Sequence, residues 1–266
     1  MIFRTRFAPS PTGFLHLGHA FSALTAFDAA RAAGGEFILR IEDIDHTRCR
    51  PAFEAAIYRD LAAIGLAWPE PVLRQSEHLA DYQAALDRLR DMGVVYADAR
   101  TRRGQAEAAM GAPQEDDASG SEPAAPAWRL SLEAARKVLG GRYDDLAFVD
   151  DIRGEQRATP EINGDVVLGR KDIGVAYHLC VVIDDARQGI NHVIRGHDLF
   201  DATHTQVVLQ ALLGLAQPRY RHHALLLDGE GRRLAKRKGS RALRDYLEDG
   251  LDAAHIRALI AGSPKQ

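Results

Sequence analysis

The stretch that decides the fold is residues 6–19, which read RFAPSPTGFLHLGH. A strand is predicted before it, from Ile2 to Phe7, and a helix after it, from Leu17 to Ala33. A turn rich in proline and glycine allows the backbone to approach a ligand closely, and the N-terminus of the following helix offers unpaired N–H groups to a phosphate. Strand, turn and helix in this order predict a nucleotide site.

Strand and helix patterns alternate through the rest of the first 95 residues. A buried strand is predicted at Glu36–Ile41, and two helices are predicted to begin at Pro51 and near Leu79, with glycines at their ends. This alternation favours parallel βαβ units, because a parallel partner strand requires a long crossover. After a break, we expect strands around residues 148–152, 165–168, 181–183 and 192–195, and a helix near 203–213.

The predicted fold class is therefore α/β, a Rossmann-type nucleotide-binding domain with a parallel sheet, split by an inserted α+β domain. The expected bounds are 1–95 and 181–240 for the split catalytic domain, 96–180 for the insertion and 241–266 for a short C-terminal helical remnant. Residues 104–127 contain five acidic side chains and no basic one, and Met110 is their only large apolar residue, so this segment is predicted to be flexible.

Composition limits the function classes. The 266 residues carry 34 basic and 37 acidic side chains, a net charge of −3, yet residues 217–244 contain nine basic and two acidic ones. A polyanion is thus expected near the C-terminal third, with a solvated basic surface as the alternative. Because the sequence has no apolar run suited to a signal peptide or membrane span, we expect a cytoplasmic protein. Cys49 and Cys180 support neither a disulfide nor a cysteine-rich zinc site.

Two stretches near the N-terminus carry residues suited to nucleotide chemistry. His16 and His19 share the first turn of the predicted helix, where two imidazoles can donate hydrogen bonds to a phosphoryl group. A His-x-x-His pair alone is more often structural. Glu42 follows a buried strand at the edge where α/β sheets bind ligands, so it is well placed to meet an amino group. Its neighbours Asp43 and Asp45 could bind ligand, but they could equally serve only to brace the loop.

The third stretch is residues 228–240, where glycines flank a cluster of basic side chains. This pattern is typical of a mobile loop that closes over a triphosphate, and Lys236 could neutralise charge on a transferring phosphoryl oxygen. The sequence has no Gly-x-x-x-x-Gly-Lys-Ser/Thr motif, so a Walker-type site is excluded.

Together these stretches resemble the class I aminoacyl-tRNA synthetases, specifically their glutamyl branch. Residues 16–19 look like the His-Ile-Gly-His signature of that family, and residues 233–237 look like a degenerate form of its Lys-Met-Ser-Lys-Ser loop. The resemblance extends from Arg4 to about Ser240. Sequence motifs specific to the glutamyl branch lie at residues 6–13, 40–43, 176–179 and 193–198.

The resemblance implies ATP-dependent activation of L-glutamate to glutamyl-adenylate, a ligase-type reaction with Mg²⁺ on the ATP phosphates. It implies catalytic roles for His16, His19 and Lys236, and it adds Pro9 and Gly18 as further ATP-binding residues. The glutamate-binding residues that it implies are Arg6, Ser10, Glu42, Tyr177 and Arg195.

The length favours one subtype. A complete glutamyl-tRNA synthetase continues into a long helical region that reads the anticodon, whereas this chain stops 26 residues after Ser240. The chain therefore resembles the short glutamyl-queuosine tRNA(Asp) synthetases, which attach glutamate to the queuosine base at the wobble position. We accordingly expect a monomer without an anticodon-binding domain, whose partner is the queuosine-containing anticodon loop of tRNA(Asp).

Two departures from the family pattern affect these expectations. Many relatives begin a zinc site with Cys-x-Cys where residues 96–102 read YADARTR, so no zinc is predicted. Arg233 and Ala235 replace a usual lysine and serine of the mobile loop, which keeps the positive charge but removes a hydroxyl donor. Two alternatives stay open: a truncated glutamyl-tRNA synthetase that charges a tRNA 3′ end, and a catalytically dead paralogue that binds RNA.

Overall fold

The structure, a computed structural model, describes residues 2–98, 127–170, 174–227 and 241–266. The strands are β1 Arg4–Phe7, β2 Glu36–Ile41, β3 Leu73–Arg74, β4 Val95–Asp98, β5 Ala127–Leu130, β6 Ala147–Asp150, β7 Gly154–Arg157, β8 Val167–Arg170, β9 Gly174–Val175, β10 His192–Gly196 and β11 Arg219–His223. The helices are α1 Leu17–Ala32, α2 Pro51–Ala63, α3 Leu79–Asp91, α4 Leu132–Leu139, α5 Gly141–Asp144, α6 Tyr177–Arg187, α7 Phe200–Leu213, α8 Leu243–Glu248 and α9 Ala253–Gly262.

The first half of the chain forms the predicted parallel βαβ arrangement. Strand β1 pairs in parallel with β2, with Arg4 opposite Glu36 and Phe7 opposite Leu39, and β3 adds in parallel on the other side of β2. The intervening helix α1 crosses over the sheet and buries its alanine-rich face against it. This crossover is the long connection that parallel pairing requires.

The second half forms a four-stranded sheet whose strand β10 lies beside β1. Strands β10 and β11 are parallel, β6 pairs in parallel with β11, and β7 returns antiparallel to β6. At the junction the backbone N–H of Asn191 donates to the Arg4 carbonyl at 3.1 Å, and the Arg4 N–H donates to the Asn191 side-chain oxygen at 2.8 Å. The carboxyl ends of β1, β2, β10 and β11 therefore open at one edge, where α/β folds bind ligands.

A separate antiparallel sheet has the strand order β4, β5, β8, β9. It packs with α3, α4, α6 and α7 around a second apolar cluster that includes Leu86, Leu130, Leu168 and Leu209. The α/β class is as expected, whereas the domain division remains a prediction. Its expected bound at residue 180 falls within α6. Strands β6 and β7 are expected in the insertion, but β6 pairs with β11, and β7 pairs with β6 at the edge of that same sheet. The segment predicted to be flexible, 104–127, lies outside the described residues except for Ala127 at the start of β5.

The strand predicted at residues 181–183 is wrong, because these residues lie inside helix α6. Leu179, Cys180, Val181 and Val182 are all buried, so the apolar run has no polar face that would reveal a helical period. A short run buried on all sides does not distinguish strand from helix by periodicity alone. The other predicted strands and helices are found within a few residues of their expected positions.

The C-terminal residues form helices α8 and α9. The Leu243 N–H donates to the Leu15 carbonyl at 2.7 Å, which holds the start of α8 against the turn that precedes α1. Ile256 and Ile260 of α9 are buried in the same apolar cluster as α1. Among the described residues, no helix combines the length and apolar character needed to cross a membrane.

The close approach at Gly35 gives a test of the β1–β2 packing. An added Cβ at Gly35 would overlap the carbonyl oxygen of Phe3, whereas a Cβ at Gly141 meets open space, and neither glycine has a positive φ. We expect Gly35→Ala to lower the free energy of unfolding by about 1–3 kcal/mol. Gly141→Ala, the matched control, should leave it unchanged or raise it slightly. Urea unfolding of both variants is the measurement, and equal effects would contradict the close approach.

Candidate active site

A cavity of about 500 Å³ opens at the carboxyl edge of the parallel strands. It is formed by the turn after β1, the first turn of α1, the end of β2, the start of α6, and the ends of β10 and β11. Nine of the predicted site residues line this cavity together: Arg6, Pro9, Ser10, His16, Gly18, His19, Glu42, Tyr177 and Arg195. Lys236, Arg233 and Ala235 lie outside the described residues.

His16 and His19 cap the N-terminus of α1 reciprocally. The His16 Nδ1 accepts from the Gly18 N–H, and the His19 Nδ1 accepts from the His16 N–H, each at 3.1 Å. The two rings lie with their centroids 3.8 Å apart. Because the Nδ1 of each ring accepts a hydrogen bond, Nε2 is the ring nitrogen that can donate. The capping thus prepares two N–H donors beside the positive end of a helix, an arrangement suited to phosphate.

Arg6, on β1, is predicted to bind the substrate glutamate. Its guanidinium is held in the interior by an ion pair. Its Nε and Nη2 donate to the two oxygens of Asp185, at 3.0 and 3.4 Å, and both side chains are more than 90% buried. Burial acts to raise the pKa of Asp185, but the attraction of Arg6 and Arg40 and their hydrogen bonds outweighs it, so this pKa is lowered. Asp185 is therefore an ionised counterion for two arginines.

Arg40, on β2, is the centre of this ionic cluster. It is completely buried, and it donates from Nη1 to Asp185 at 2.8 Å and from Nη2 to Glu42 at 3.0 Å, while Asp184 lies 3.8 Å from its Nε. Burial alone would lower the pKa of Arg40, but these three carboxylates raise it. Asp184 in turn accepts from Gln75 and from the Tyr82 hydroxyl, at 2.8 and 2.7 Å.

Glu42, which is predicted to bind an amino group, lines the cavity together with Arg6 of the same cluster. Its carboxylate accepts from Arg40, and its backbone N–H donates to the Pro9 carbonyl at 3.0 Å, which joins the end of β2 to the turn after β1. Burial raises the pKa of Glu42 despite the opposing attraction of Arg40 and Arg6. A cation that enters the cavity would favour the charged carboxylate, so the site is suited to an ammonium group.

Arg195, on β10, is held very differently. It donates from Nε to His222 Nε2 at 3.1 Å, from Nη2 to Thr203 and Gln206 at 2.7 and 2.8 Å, and from Nη1 to the Tyr177 hydroxyl at 3.4 Å. All four partners are neutral groups. Within the part of the chain that the structure describes, Arg195 forms no ion pair with a carboxylate, although it is 95% buried.

Asp43 and Asp45, the acidic neighbours of Glu42, brace the loop that follows β2. This is the structural role given above as the alternative to ligand binding. Asp43 accepts from the Ser76 N–H and hydroxyl, at 2.8 and 2.6 Å, and Asp45 accepts from the Thr47 hydroxyl and from Arg48. Asp98 of β4, in the region where zinc-binding relatives carry cysteines, pairs with Arg129 at 2.7 Å. Over the described ranges, no three His, Cys, Asp or Glu side chains lie close enough to hold a metal ion.

Sequence reasoning missed the residues that hold the predicted ligands in place. Arg40 and the pair Asp184 and Asp185 are charged residues in apolar segments, a signal that could have identified them as buried partners. His222 has no local signal, since it lies 27 residues from Arg195. Ser22 and His223 were also missed. Both line the cavity, and a hydrogen bond of 3.0 Å connects the Ser22 hydroxyl and the His223 Nε2.

Comparison with known proteins identifies the family. Residues 2–261 match the family described as tRNA synthetases class I (E and Q), catalytic domain. The chain belongs to this family. A glutamyl-Q tRNA(Asp) synthetase of Rhodobacter capsulatus is 47% identical, over 96% of this chain and 99% of that protein. A second protein of that name, from Nocardia farcinica, is 40% identical over 97% of this chain and 83% of its own length.

Solved structures agree with the class I fold of this synthetase. A glutamate-tRNA synthetase of Elizabethkingia anophelis superimposes with a TM-score of 0.71 at 27% identity, covering 94% of this chain. The chain spans 54% of the length of that structure. A methionyl-tRNA synthetase of Mycobacterium tuberculosis, 13% identical with a TM-score of 0.65, shares the fold.

Asp185 provides a test of the ionic cluster in this class I synthetase. Asp185→Asn leaves Arg6 and Arg40 buried with less negative charge, so we expect the free energy of unfolding at pH 7 to fall by about 3–5 kcal/mol. The matched control is Asp151→Asn, which removes an exposed pair with Arg219 and should cost less than about 1 kcal/mol. Urea unfolding measures both.

The pH dependence checks the same ion pair. Because the pKa of Asp185 is lowered in the folded protein, its contribution to stability is present above the ordinary carboxyl pKa of 3.8 and is lost as the pH falls from there through the lowered value. The stability difference between wild type and Asp185→Asn should therefore be constant near neutral pH and shrink in acid. A difference that grows on acidification would contradict an ionised Asp185.

Proposed function

We propose that this protein activates L-glutamate with ATP and transfers it to the queuosine base at the wobble position of tRNA(Asp). The observation that carries the proposal is the convergence of Arg6, Glu42 and Arg195 with the two capped imidazoles on one cavity. Two guanidiniums and one carboxylate match the charges of a glutamate side chain and ammonium group, and the imidazoles match a phosphate. ATP use follows from membership of the class I family.

In the first step, an α-carboxylate oxygen of glutamate attacks the α-phosphorus of ATP. A new O–P bond forms as the bond to the β-phosphate oxygen breaks, and pyrophosphate leaves with the Mg²⁺ that accompanies the substrate. The Nε2–H groups of His16 and His19 donate to the phosphoryl oxygens as charge spreads over them, and Lys236 adds a positive charge. We assign no protein ligand to Mg²⁺ and retain the prediction that the protein binds no zinc.

The substrate contacts follow from the charges around the cavity. Arg195 and Arg6 bind the side-chain carboxylate of glutamate, Ser10 adds a hydrogen bond, and Glu42 binds the ammonium group. The Tyr177 hydroxyl, which already accepts from Arg195, closes the pocket. An amide in place of the carboxylate would leave guanidinium donors underpaired, so glutamate is preferred over glutamine.

In the second step, a ring hydroxyl of queuosine attacks the acyl carbon of the adenylate, an ester bond forms and AMP leaves. The choice of this acceptor over a tRNA 3′ end is supported by the Rhodobacter capsulatus relative, whose name specifies it and which matches over nearly its whole length. A polynucleotide substrate is also consistent with the basic side chains of residues 217–244. A monomer and the anticodon loop as the bound element remain parts of the proposal.

An exchange assay followed by an acceptor test examines both steps. With labelled pyrophosphate and no tRNA, we expect label to enter ATP when glutamate is supplied and not when glutamine is supplied. With labelled glutamate, we expect transfer to queuosine-containing tRNA(Asp), and none to the same tRNA carrying guanosine at that position or to tRNA(Glu). Charging of tRNA(Glu) would favour the truncated glutamyl-tRNA synthetase, and a lack of exchange would favour the inactive paralogue.

His19 tests the phosphoryl contact. Removing one prepared transition-state donor generally costs on the order of 10²–10³ in rate, so His19→Ala should lower pyrophosphate exchange by that factor. The control is His255→Ala, which removes an exposed imidazole on α9 and should leave exchange unchanged. Because His19 also caps α1, thermal unfolding is measured in parallel. Exchange at the wild-type rate in His19→Ala would remove this residue from the mechanism.

A further inference from the structure

The two arginines that face the cavity are anchored by opposite kinds of partner. Arg6 is paired with the carboxylate of Asp185, whereas Arg195 is held by His222, Thr203, Gln206 and the Tyr177 hydroxyl, all uncharged. An ion pair offsets the charge of a guanidinium, while neutral acceptors orient it and leave its charge intact. Arg195 thus keeps its full charge for an incoming anion.

His222 can accept from Arg195 only in one protonation state. Its Nδ1 lies 2.6 Å from the Asp150 carboxylate, which has no proton to give and therefore requires the proton on Nδ1. Its Nε2 faces the Arg195 Nε–H at 3.1 Å and the Thr203 hydroxyl at 3.1 Å, so Nε2 must present its lone pair. Burial and the adjacent Arg195 lower the pKa of His222 to about 3, which keeps the ring neutral.

Asp150 is in turn fixed by the backbone. One carboxylate oxygen accepts from the N–H groups of Ile152 and Arg153, each at 3.0 Å, and the other accepts from the His222 N–H at 3.2 Å and from the ring. Asp150 and His222 are both completely buried. The carboxylate, the imidazole and the guanidinium therefore form one chain that runs from the end of β6 through β11 to β10.

We propose that His222 is a positioning residue, which orients the Arg195 guanidinium toward the side-chain carboxylate of the substrate without neutralising it, and that Asp150 selects the His222 tautomer this requires. The inference rests on the proposed function, because it takes glutamate as the substrate. A carboxylate at the place of His222 would pair with Arg195 and compete with the substrate, whereas an apolar residue would leave the Nε–H unsatisfied.

Two substitutions of His222 separate its two hydrogen bonds. In His222→Asn, the short amide reaches the place of Nδ1 and can bond to Asp150, but the Nε–H of Arg195 loses its acceptor. In His222→Gln, the amide oxygen reaches the place of Nε2 and restores the acceptor. Pyrophosphate exchange gives the KM for glutamate and for ATP in each variant, and thermal unfolding shows whether each is folded.

We expect His222→Asn to raise the glutamate KM by roughly ten- to hundredfold, the usual effect of losing one hydrogen bond to a charged group, with the ATP KM within about twofold of wild type. His222→Gln should return the glutamate KM to within a few-fold of wild type. Arg195→Ala should also raise the glutamate KM selectively, and by a larger factor than His222→Asn. The matched control is His255→Asn, whose imidazole also pairs with a carboxylate, Asp252, but is exposed, and it should change neither constant.

A spectroscopic measurement tests the tautomer without activity. In ¹⁵N-histidine-labelled wild-type protein, the His222 ring, assigned by its loss in His222→Gln, should show a protonated Nδ1 and an unprotonated Nε2. The opposite tautomer or an imidazolium would overturn the proposal, as would equal rises in the glutamate and ATP KM in both variants. Failure of the wild type to exchange with glutamate would instead reject the proposed function on which the inference rests.

Discussion

The structure depends on the completely buried guanidinium of Arg40. A charge removed from water requires close counterions, and Arg40 has three carboxylates around it, one just after β2 and two on α6. Two of these are the consecutive Asp184 and Asp185 of helix α6, about 145 residues away in the chain. The ionic cluster therefore joins the first βαβ unit to the second half and fixes the cavity between them.

This cluster also sets the electrostatics of the cavity. Asp185 is shared between Arg40 and Arg6, so the ion pair that stabilises the interior simultaneously aims Arg6 at the cavity. On strand β10, which lies beside β1, Arg195 is oriented by neutral acceptors. An anionic side chain therefore meets one guanidinium paired directly with a carboxylate and one whose direct hydrogen-bond partners are neutral.

Much of the site could be predicted from the sequence because it rests on local geometry. The histidines at 16 and 19 lie on one helical turn, and the residues of that turn determine their capping hydrogen bonds. Glu42 lies where a strand of predictable apolar pattern ends. The partners of Arg6 and Arg195 could not be predicted in this way, since Asp185 and His222 reach them only when distant strands and helices pack.

The sequence by itself determined the alternation of strands and helices, the capped turn at the start of α1 and the set of side chains suited to an amino acid and a nucleotide, because each depends on residues close together in the chain. Only the tertiary structure decided that residues 181–183 belong to a helix and that its two aspartates neutralise Arg40. It also decided the tautomer of His222, since a proton settles on the ring nitrogen that faces a buried carboxylate, and that carboxylate comes from strand β6.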